Sequence, residues 1–445
     1  MAKPTRSATT DTMPLLALLL LVPLLCLWAS LHLRRQQRLL HDLPTSKADG
    51  VFIGLVELKG TAESPSPLCS YLAGQSCIHY AWRVEEHWSR TVIENYTDDK
   101  GRPQTRTRHE SGWTTVAEGG ESQDFYVRDD SGAVLVRPQG AKIDPLPFFN
   151  ETVGRGHPLY YDKGPPTAVA DSDHERRFAE TGLPLHVPLF VVGQARERAD
   201  VVAPEIAASR DAAMFLISTR SEEKVQSGYA GWSWFWWALG LLATGVPLFI
   251  GFSDARRSPI GPPILLAAPL AIYLFLWATG WIWMAFNSLV GLRNRVRQGW
   301  SLIDVQLKRR HDLIPNLVAA VSGLTAHEQT VQTALAALRA QAQATPPGAA
   351  GPDFDGLVGS LCAVIEKYPQ LTAQPSFGAL HRSLVETEQR IALARTYYND
   401  IATHFATRLE QVPDRWIARL GGMRPEPLLG AENFERAPVA VSFAR

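Results

Sequence analysis

Few residues in this chain stand at spacings that chemistry requires. His79 and His87 lie an even number of residues apart, with Glu85 and Glu86 beside the second, and His174-Glu175 follows later. On a strand, even spacing puts side chains on one face, where two histidines could serve a metal or an acid-base step. Such positions more often form a solvated face, and that reading is preferred. His327-Glu328 opens the helical zinc-hydrolase pattern H-E-x-x-H, but its last position is Val331. The cysteines are Cys26, Cys69, Cys77 and Cys362, and Cys69 with Cys77 is the local disulfide or redox candidate. They lack the paired C-x-x-C spacing of a structural zinc site. No P-loop, dinucleotide fingerprint or nucleophile motif occurs. The residues therefore nominate no catalytic group, no cofactor and no metal.

What remains is a set of polar residues on two helical stretches. Apolar residues recur at Leu289, Leu292, Val296, Trp300, Ile303 and Leu307, and resume at Ile314, Leu317, Val321 and Leu324. Steps of three and four predict one helix face. A rod of roughly 60 residues, from Met284 to Ala344, would be ~90 Å long, kinked at Pro315. Residues 353–367 read as a short helix and 376–411 as a long return helix, which together make an antiparallel bundle. Asp304 with Lys308 and Glu386 with Arg390 are i,i+4 partners. Asp304, Asn316, Glu388, Arg395 and Asn399 are placed to pair between the long helices. The candidate network is Asp304, Lys308, Asp312, Asn316, Glu386, Glu388, Arg390, Arg395 and Asn399. A satisfied buried network fixes alignment more than it adds stability. That structural role is preferred to a partner-binding groove made of the same side chains.

Lys plus Arg and Asp plus Glu balance at 44 each, so charge points to neither nucleic acid nor an acidic substrate. A mean hydropathy near zero conceals strong segregation. Residues 13–33, 232–252 and 264–284 are apolar stretches long enough for a ~30 Å hydrocarbon core. A cleaved signal peptide is the rival reading of the first, but the run exceeds the usual ~7–15-residue core. Leu27-Trp28-Ala29 is also a poor cleavage site. Tryptophans at 232, 234, 236 and 237, and at 277, 281 and 283, suit the headgroup region. The second and third stretches hold no charged residue, which argues against an ion path. Arg34, Arg35, Arg38, Lys47, Arg220, Lys224, Arg293, Arg295 and Arg297 stand against Lys3, Arg6, Arg256 and Arg257 on the other side. The positive-inside rule then places both soluble domains in the cytoplasm.

Between the first two stretches the chain changes to short alternating or β-branched runs, such as 51–58, 79–84, 124–128, 133–136 and 189–193. Asp129-Asp130-Ser131-Gly132 reads as a hairpin turn and 98–103 as a loop. The expected organisation is a tail over 1–12, spans at 13–33, 232–252 and 264–284, a mostly antiparallel β domain over 51–225, a helical domain over 285–420 and a Pro/Gly-rich tail over 421–445.

Two families are resembled. Gly60-Thr61-Ala62-Glu63 with Pro67-Leu68, Tyr80 with Trp82-Arg83-Val84-Glu85, and Phe125-x-Val127-x-Asp129 with Gly132 carry the first, followed by Pro188 to Ala195 and Phe215 to Ser218. Their order resembles the GIDE-type domain of membrane-anchored ubiquitin ligases and their bacterial relatives. In the eukaryotic relatives a separate zinc RING recruits the ubiquitin-charged partner. This chain shows no such RING, so the resemblance implies the domain but not ubiquitin transfer. Phe286-Asn287-Ser288-Leu289-Val290, the run from Trp300 to Val318, and Leu384-x-Glu386-Thr387-Glu388-x-Arg390-Ile391 through Tyr398-Asn399 carry the second. They resemble the LemA family closely, with Phe286 and Leu324-Thr325 as small departures. That family has no agreed molecular activity.

The expected fold is thus a multi-domain membrane protein, with an antiparallel GIDE-like β domain, a LemA-like antiparallel helical bundle with coiled-coil character, and three transmembrane helices. The expected role is a bacterial inner-membrane, multi-pass scaffold or interaction module in membrane or envelope organisation. Its partners would be the lipid bilayer and an unidentified membrane or membrane-proximal protein, not nucleic acid, with a homo-oligomer left open. The alternatives are a ligase-like enzyme, disfavoured without a RING, and a regulatory subunit of a membrane protease or transporter.

Overall fold

The computed structural model describes residues 12–97, 102–198, 200, 203–210, 212–255, 263–322 and 375–429. They form two compact units, one of Thr45–Glu222 and one joining the chain before Thr45 to the chain after Glu222.

The Thr45–Glu222 unit holds thirteen strands. They are β1 (Thr45–Ser46), β2 (Gly54–Glu63), β3 (Leu68–Cys69), β4 (Ser76–Thr97), β5 (Pro103–Ser122), β6 (Phe125–Arg128), β7 (Ala133–Val136), β8 (Lys142–Asp144), β9 (Leu146–Gly154), β10 (Ser172–Pro184), β11 (Pro188–Glu197), β12 (Pro204–Ala207) and β13 (Leu216–Ser218). A short helix, α2 (Pro158–Asp162), follows β9. In the first sheet, β2 pairs with β6, β6 with β7, β7 with β12, β12 with β11, and β11 returns to β2. This circuit is a five-stranded barrel, with β1, β13 and β8 paired outside it. Alternate residues of the staves point inward, including Val56 and Leu58, Phe125 and Val127, Val134 and Val136, and Leu189 and Val191. Closure needs β2 to pass close to β6. At Gly60 a Cβ would lie 2.4 Å from the Arg128 carbonyl oxygen, so only glycine fits. The expected turn is present: Asp129 accepts from the Ser131 and Gly132 amides and, through its other oxygen, from the Ala48 amide.

The second sheet sets β5 and β3 on one side of β4, and β10 then β9 on the other. Ile78 of β4 and Leu183 of β10 belong to the barrel's core cluster, which joins the two sheets. The domain is not simply antiparallel. β1 with β2, β7 with β12, and β8 with β13 are parallel pairs. Short strands set side by side through long connections leave no trace in alternation, which is why this was missed.

The other unit is helical. Its elements are α1 (Thr12–His41), α3 (Glu222–Ala255), α4 (Pro263–Ser322), α5 (Pro375–Glu410) and α6 (Asp414–Leu420). The return helix expected at 376–411 is α5. The stretch expected to span at 264–284 and the described part of the rod expected after it, to Ser322, are one continuous helix, α4; the rest of that rod, 323–344, lies outside the described residues. Its length is about 90 Å at ~1.5 Å per residue. α5 runs antiparallel to α4: Tyr398 packs near Gly299 and Trp300, Glu388 meets Arg310, and Ser383 meets Arg309. Leu289, Leu292, Val296, Ile303 and Leu307 face Leu384, Ile391, Ala394 and Ile401 in the buried seam, while Trp300 stays at its edge. The short helix expected at 353–367 lies outside the described residues.

Three transmembrane helices are not supported. Among the described residues one helix, over Ala268–Leu313, is long and apolar enough to cross a membrane. Hydropathy counts apolar residues without asking what they pack against, and in α1 and α3 part of that run is used between helices. Cys26 and Leu27 of α1 are buried, Tyr273 of α4 donates to the Trp237 carbonyl at 3.0 Å, and Gly280 of α4 seats Leu31.

One buried acid of the β unit gives a test. Glu57 of β2 is fully buried and accepts from Thr45 Oγ1 at 2.7 Å. Burial, opposed by the Thr45 bond and Lys59, pushes its pKa up to about 7. A carboxyl raised in the folded state weakens the fold where it ionises, so stability falls as pH rises from ~4.5 through 7. Glu57→Gln is expected to raise the unfolding temperature at pH 8, with a gain of up to about 3 kcal/mol, and to change it little at pH 5. Thermal scans at both values measure this; equal effects at the two would refute it.

Candidate functional site

Among the described residues of the helical unit, buried charge gathers where α1 ends. Asp42, one residue past the helix, is held there by its amide, which donates to the Arg38 carbonyl at 2.9 Å. Its carboxylate accepts from Arg408 of α5 and from the Ser288 hydroxyl of α4, and its carbonyl accepts from Arg295 Nη1 at 2.7 Å. Arg408 also donates through Nε to Asp414 of α6 at 2.7 Å, and Arg38 reaches the other Asp414 oxygen at 3.5 Å. Asp42, Arg408 and Asp414 are 4%, 4% and 5% exposed. Positive and negative groups thus alternate from Arg38 through Asp414 and Arg408 to Asp42, tying four helices together.

Burial alone would raise the Asp42 carboxyl. The His404 and His41 imidazoles, Arg408 and Ser288 outweigh it and hold the group well below the usual carboxylate range. His41, Asp42 and His404 also bring their ligand atoms within 4.8 Å of one another, a spacing a metal ion could use. The donor set suits it poorly. Arg408 and Ser288 already occupy the carboxylate, and a cation would have to displace a buried guanidinium. The arrangement reads as an ion-pair hub.

A cavity of about 480 Å³ opens beside the hub between α1 and α4. One end is apolar, with Trp28, Leu31, Trp283 and Met284. The other is polar, with Arg35, Arg38, Ser288 and Arg295, and Asp42 forms part of its wall.

The β unit has its own buried ion pair. Arg176 and Glu86, both fully buried, meet at 3.1 Å, and Glu86 also accepts from Tyr160 Oη at 2.9 Å and Ser172 Oγ at 2.6 Å. Arg176 donates to the carbonyls of Tyr160, Pro165 and Thr167, which fastens α2 and its loop onto β4 and β10. Burial opposes ionisation of Glu86, but these bonds prevail and its pKa is lowered. His79 and His87 do not share a site. His79 bonds Ser122 of β5 and His87 bonds Asp173, each at 2.6 Å. Cys69 and Cys77 are free thiols, and the register sets Cys77 opposite Leu68. Burial raises the Cys77 thiol to about 11.

The polar residues expected to act in the helical domain are spread along α4 and α5. Asp304 and Lys308 pair at 2.7 Å, and Glu386 and Arg390 at 2.8 Å, each within one helix. Glu388 crosses to α4, where Arg310 is its partner at 3.4 Å. Asn399 clamps the following segment, exchanging bonds of 2.9 Å with the Leu429 amide and carbonyl. Asp312 and Arg395 also engage neighbours. Asn316 lies on α4 with its side chain outside the described residues. The hub residues Asp42, Arg408 and Asp414 were not singled out from the sequence. Ser288 stood in the LemA-like run, and that was the available signal.

The LemA family model matches residues 299–443, and the E3 ubiquitin ligase model, GIDE, matches 93–248. The chain is a GIDE-type segment fused to a LemA-family segment. Among curated relatives, magnetosome proteins MamQ 1 and MamQ 2 of Paramagnetospirillum magneticum are each 25% identical over 223 residues, covering 43% of this chain and 79% of the relative. MamQ of Magnetospirillum gryphiswaldense is 23% identical over 207 residues, covering 40% and 76%. With the apolar half of α4, these matches support a membrane-associated bacterial LemA-family protein. The hub straddles the LemA boundary: Arg408 and Asp414 lie inside the match, Asp42, Ser288 and Arg295 outside it.

Asp42→Asn leaves Arg408 buried with one acid in place of two, and is expected to cost about 3 kcal/mol at pH 7. Because the folded-state pKa of Asp42 is depressed, its contribution is present above the unfolded value of ~4 and fades as pH falls toward the folded value. Tryptophan-monitored unfolding of the full chain in detergent should therefore show a deficit at pH 7 that narrows at pH 3. A deficit independent of pH would mean that the Asp42 charge is not the cause.

Proposed function

We propose that this protein is a membrane-associated scaffold, which presents its β unit to a protein partner and uses its LemA segment as a second interaction module. The observation that carries the reading is the outer part of the β4–β5 hairpin. From Ser89 to Thr97, β4 pairs with β5 from Ser111 back to Pro103, and among the described strands neither has a second partner there. At ~3.3 Å per residue this arm extends about 30 Å past the last β10 pairing. Exposed strand edges are templates for pairing with another chain. Charged residues such as Arg90, Arg106, Arg108 and Glu110 blunt nonspecific pairing, while Ile93 and Tyr96 stand 65% and 50% exposed as apolar anchors.

Arg293, Arg295 and Arg297 follow the apolar half of α4, and the positive-inside rule supports a cytoplasmic LemA segment. The likeness to magnetosome proteins supports a place at a membrane. The name of the GIDE model offers ubiquitin transfer as a second reading, but that chemistry needs a zinc RING, and four scattered cysteines do not furnish one.

A photo-cross-linking residue placed at Tyr96 in the native membrane tests the scaffold. One or a few proteins should be captured there at several times the yield seen from the exposed position Glu151 on β9. Equal, diffuse capture from both positions would sink the reading. A captured protease or transporter subunit would specify the partner as a complex that this protein regulates.

A further inference from the structure

The cavity between α1 and α4 changes character along its length in the same direction as the helices that line it. Trp28 and Leu31 of α1 stand opposite Gly280, Trp283 and Met284 of α4 at one end. Trp28 and Trp283 are 66% and 72% exposed, so large apolar faces flank the opening. One to three turns further on, the walls carry Arg35, Arg38 and Arg295. This changeover coincides with the place where α4 passes from its apolar half to its charged half. The groove is therefore apolar toward the apolar half of α4 and cationic toward its charged half.

The cationic end has spare capacity for an anion. Asp42 is the acid in the wall, and its carboxylate is already occupied by Arg408, which is not part of the lining, and by Ser288 beside it in the wall. Arg35 is exposed and makes no ion pair among the described residues, and Arg38 Nη1 is buried without a hydrogen-bond partner. Arg38 is also held in place, its guanidinium stacked 5.3 Å over the Trp281 ring. A volume of about 480 Å³ lies within the ~300–1,000 Å³ span of small-molecule sites. Gly291 lines the same cavity, and a Cβ built there meets nothing within 4 Å.

From this geometry we infer that the α1–α4 groove is a binding site for one anionic phospholipid, its phosphate between Arg35, Arg38 and Arg295 and an acyl chain along Trp28, Leu31 and Trp283. Basic pockets between helices at the membrane surface bind anionic headgroups by this combination of charge and apolar contact. A zwitterionic lipid offers the same chain but cancels its phosphate charge with its own ammonium. Free phosphate offers the charge without the chain. The groove selects for both features in one molecule.

The test uses the full chain purified in detergent, with phosphatidylglycerol, phosphatidylcholine and inorganic phosphate as separate probes. Native mass spectrometry should show one phosphatidylglycerol retained per chain, about tenfold more strongly than phosphatidylcholine, and thermal unfolding should shift upward with phosphatidylglycerol alone. Arg35→Glu removes a cation that pairs with no acid among the described residues, and should weaken retention about tenfold. Gly291→Leu fills the cavity from its wall. It should abolish retention while leaving the lipid-free unfolding temperature unchanged or higher, since glycine is a poor helix former. Equal retention of the two lipids, an equal shift with inorganic phosphate, or full retention by both variants would overturn the assignment.

Discussion

The helical unit depends on one buried ion pair, Asp42 with Arg408. It joins residues 366 positions apart, so the two ends of the described chain meet at a single carboxylate. Replacing such a pair by apolar side chains of equal volume often costs nothing, whereas removing one partner strands the other's charge in a poor solvent. The pair's value is therefore positional. A guanidinium that must satisfy both Asp42 and Asp414 permits one height of α1 against α4 and α5, and apolar packing alone would tolerate sliding. Ser288 and Arg295, one above the other on α4, fix the same height from a second helix.

That register explains how a large β unit can be inserted between α1 and α3. The chain leaves the helices after Pro44 and rejoins them at Glu223. The flanking helices stay together because Ser233 of α3, buried, donates to the Ser30 carbonyl at 3.0 Å and receives Arg34 Nε at 3.2 Å. Hydroxyl contacts of this kind let two helices approach closely. The inserted unit can then carry its own core. Its barrel satisfies its edges by closure, and Glu86 with Arg176 fastens the loop between β9 and β10. The β4–β5 arm departs from this economy of edges along both of its strands.

Much of this was legible locally. The long helices announce themselves through a period near 3.6, and the seam residues from Leu289 to Leu307 could be read directly, Trp300 apart. The turn at Asp129 follows from residues that make their own hydrogen bonds. What was hidden is non-local. Asp42 looks like a solvated acid after a basic helix end, and Arg408 like a charge on the outer face of α5. Only the fold reveals that each is the other's solvent. The same holds for Glu86 and Arg176, and for the parallel strand pairs, since pairing partners leave no periodicity in either strand. Hydropathy misled in the opposite direction. It reads an apolar run as a membrane crossing whether the run faces lipid or another helix, and in α1 and α3 it does not separate the two.

The continuity of α4 links these features mechanically. A helix unbroken from Pro263 to Ser322 carries its apolar half, the cavity wall, the hub ligands Ser288 and Arg295, and the first turns of the LemA seam as one rigid element. Pro315 lies far enough along that it cannot hinge the cavity against the hub. Any change in how deep the apolar half sits would move Ser288 and Arg295 with it, and Asp42 would have to follow or lose both bonds. Since Asp42 is also held by Arg408, the cheaper response is for α1, α5 and α6 to move with α4 as a body. The hub therefore ties α1, α5 and α6 to the position of α4 along its axis.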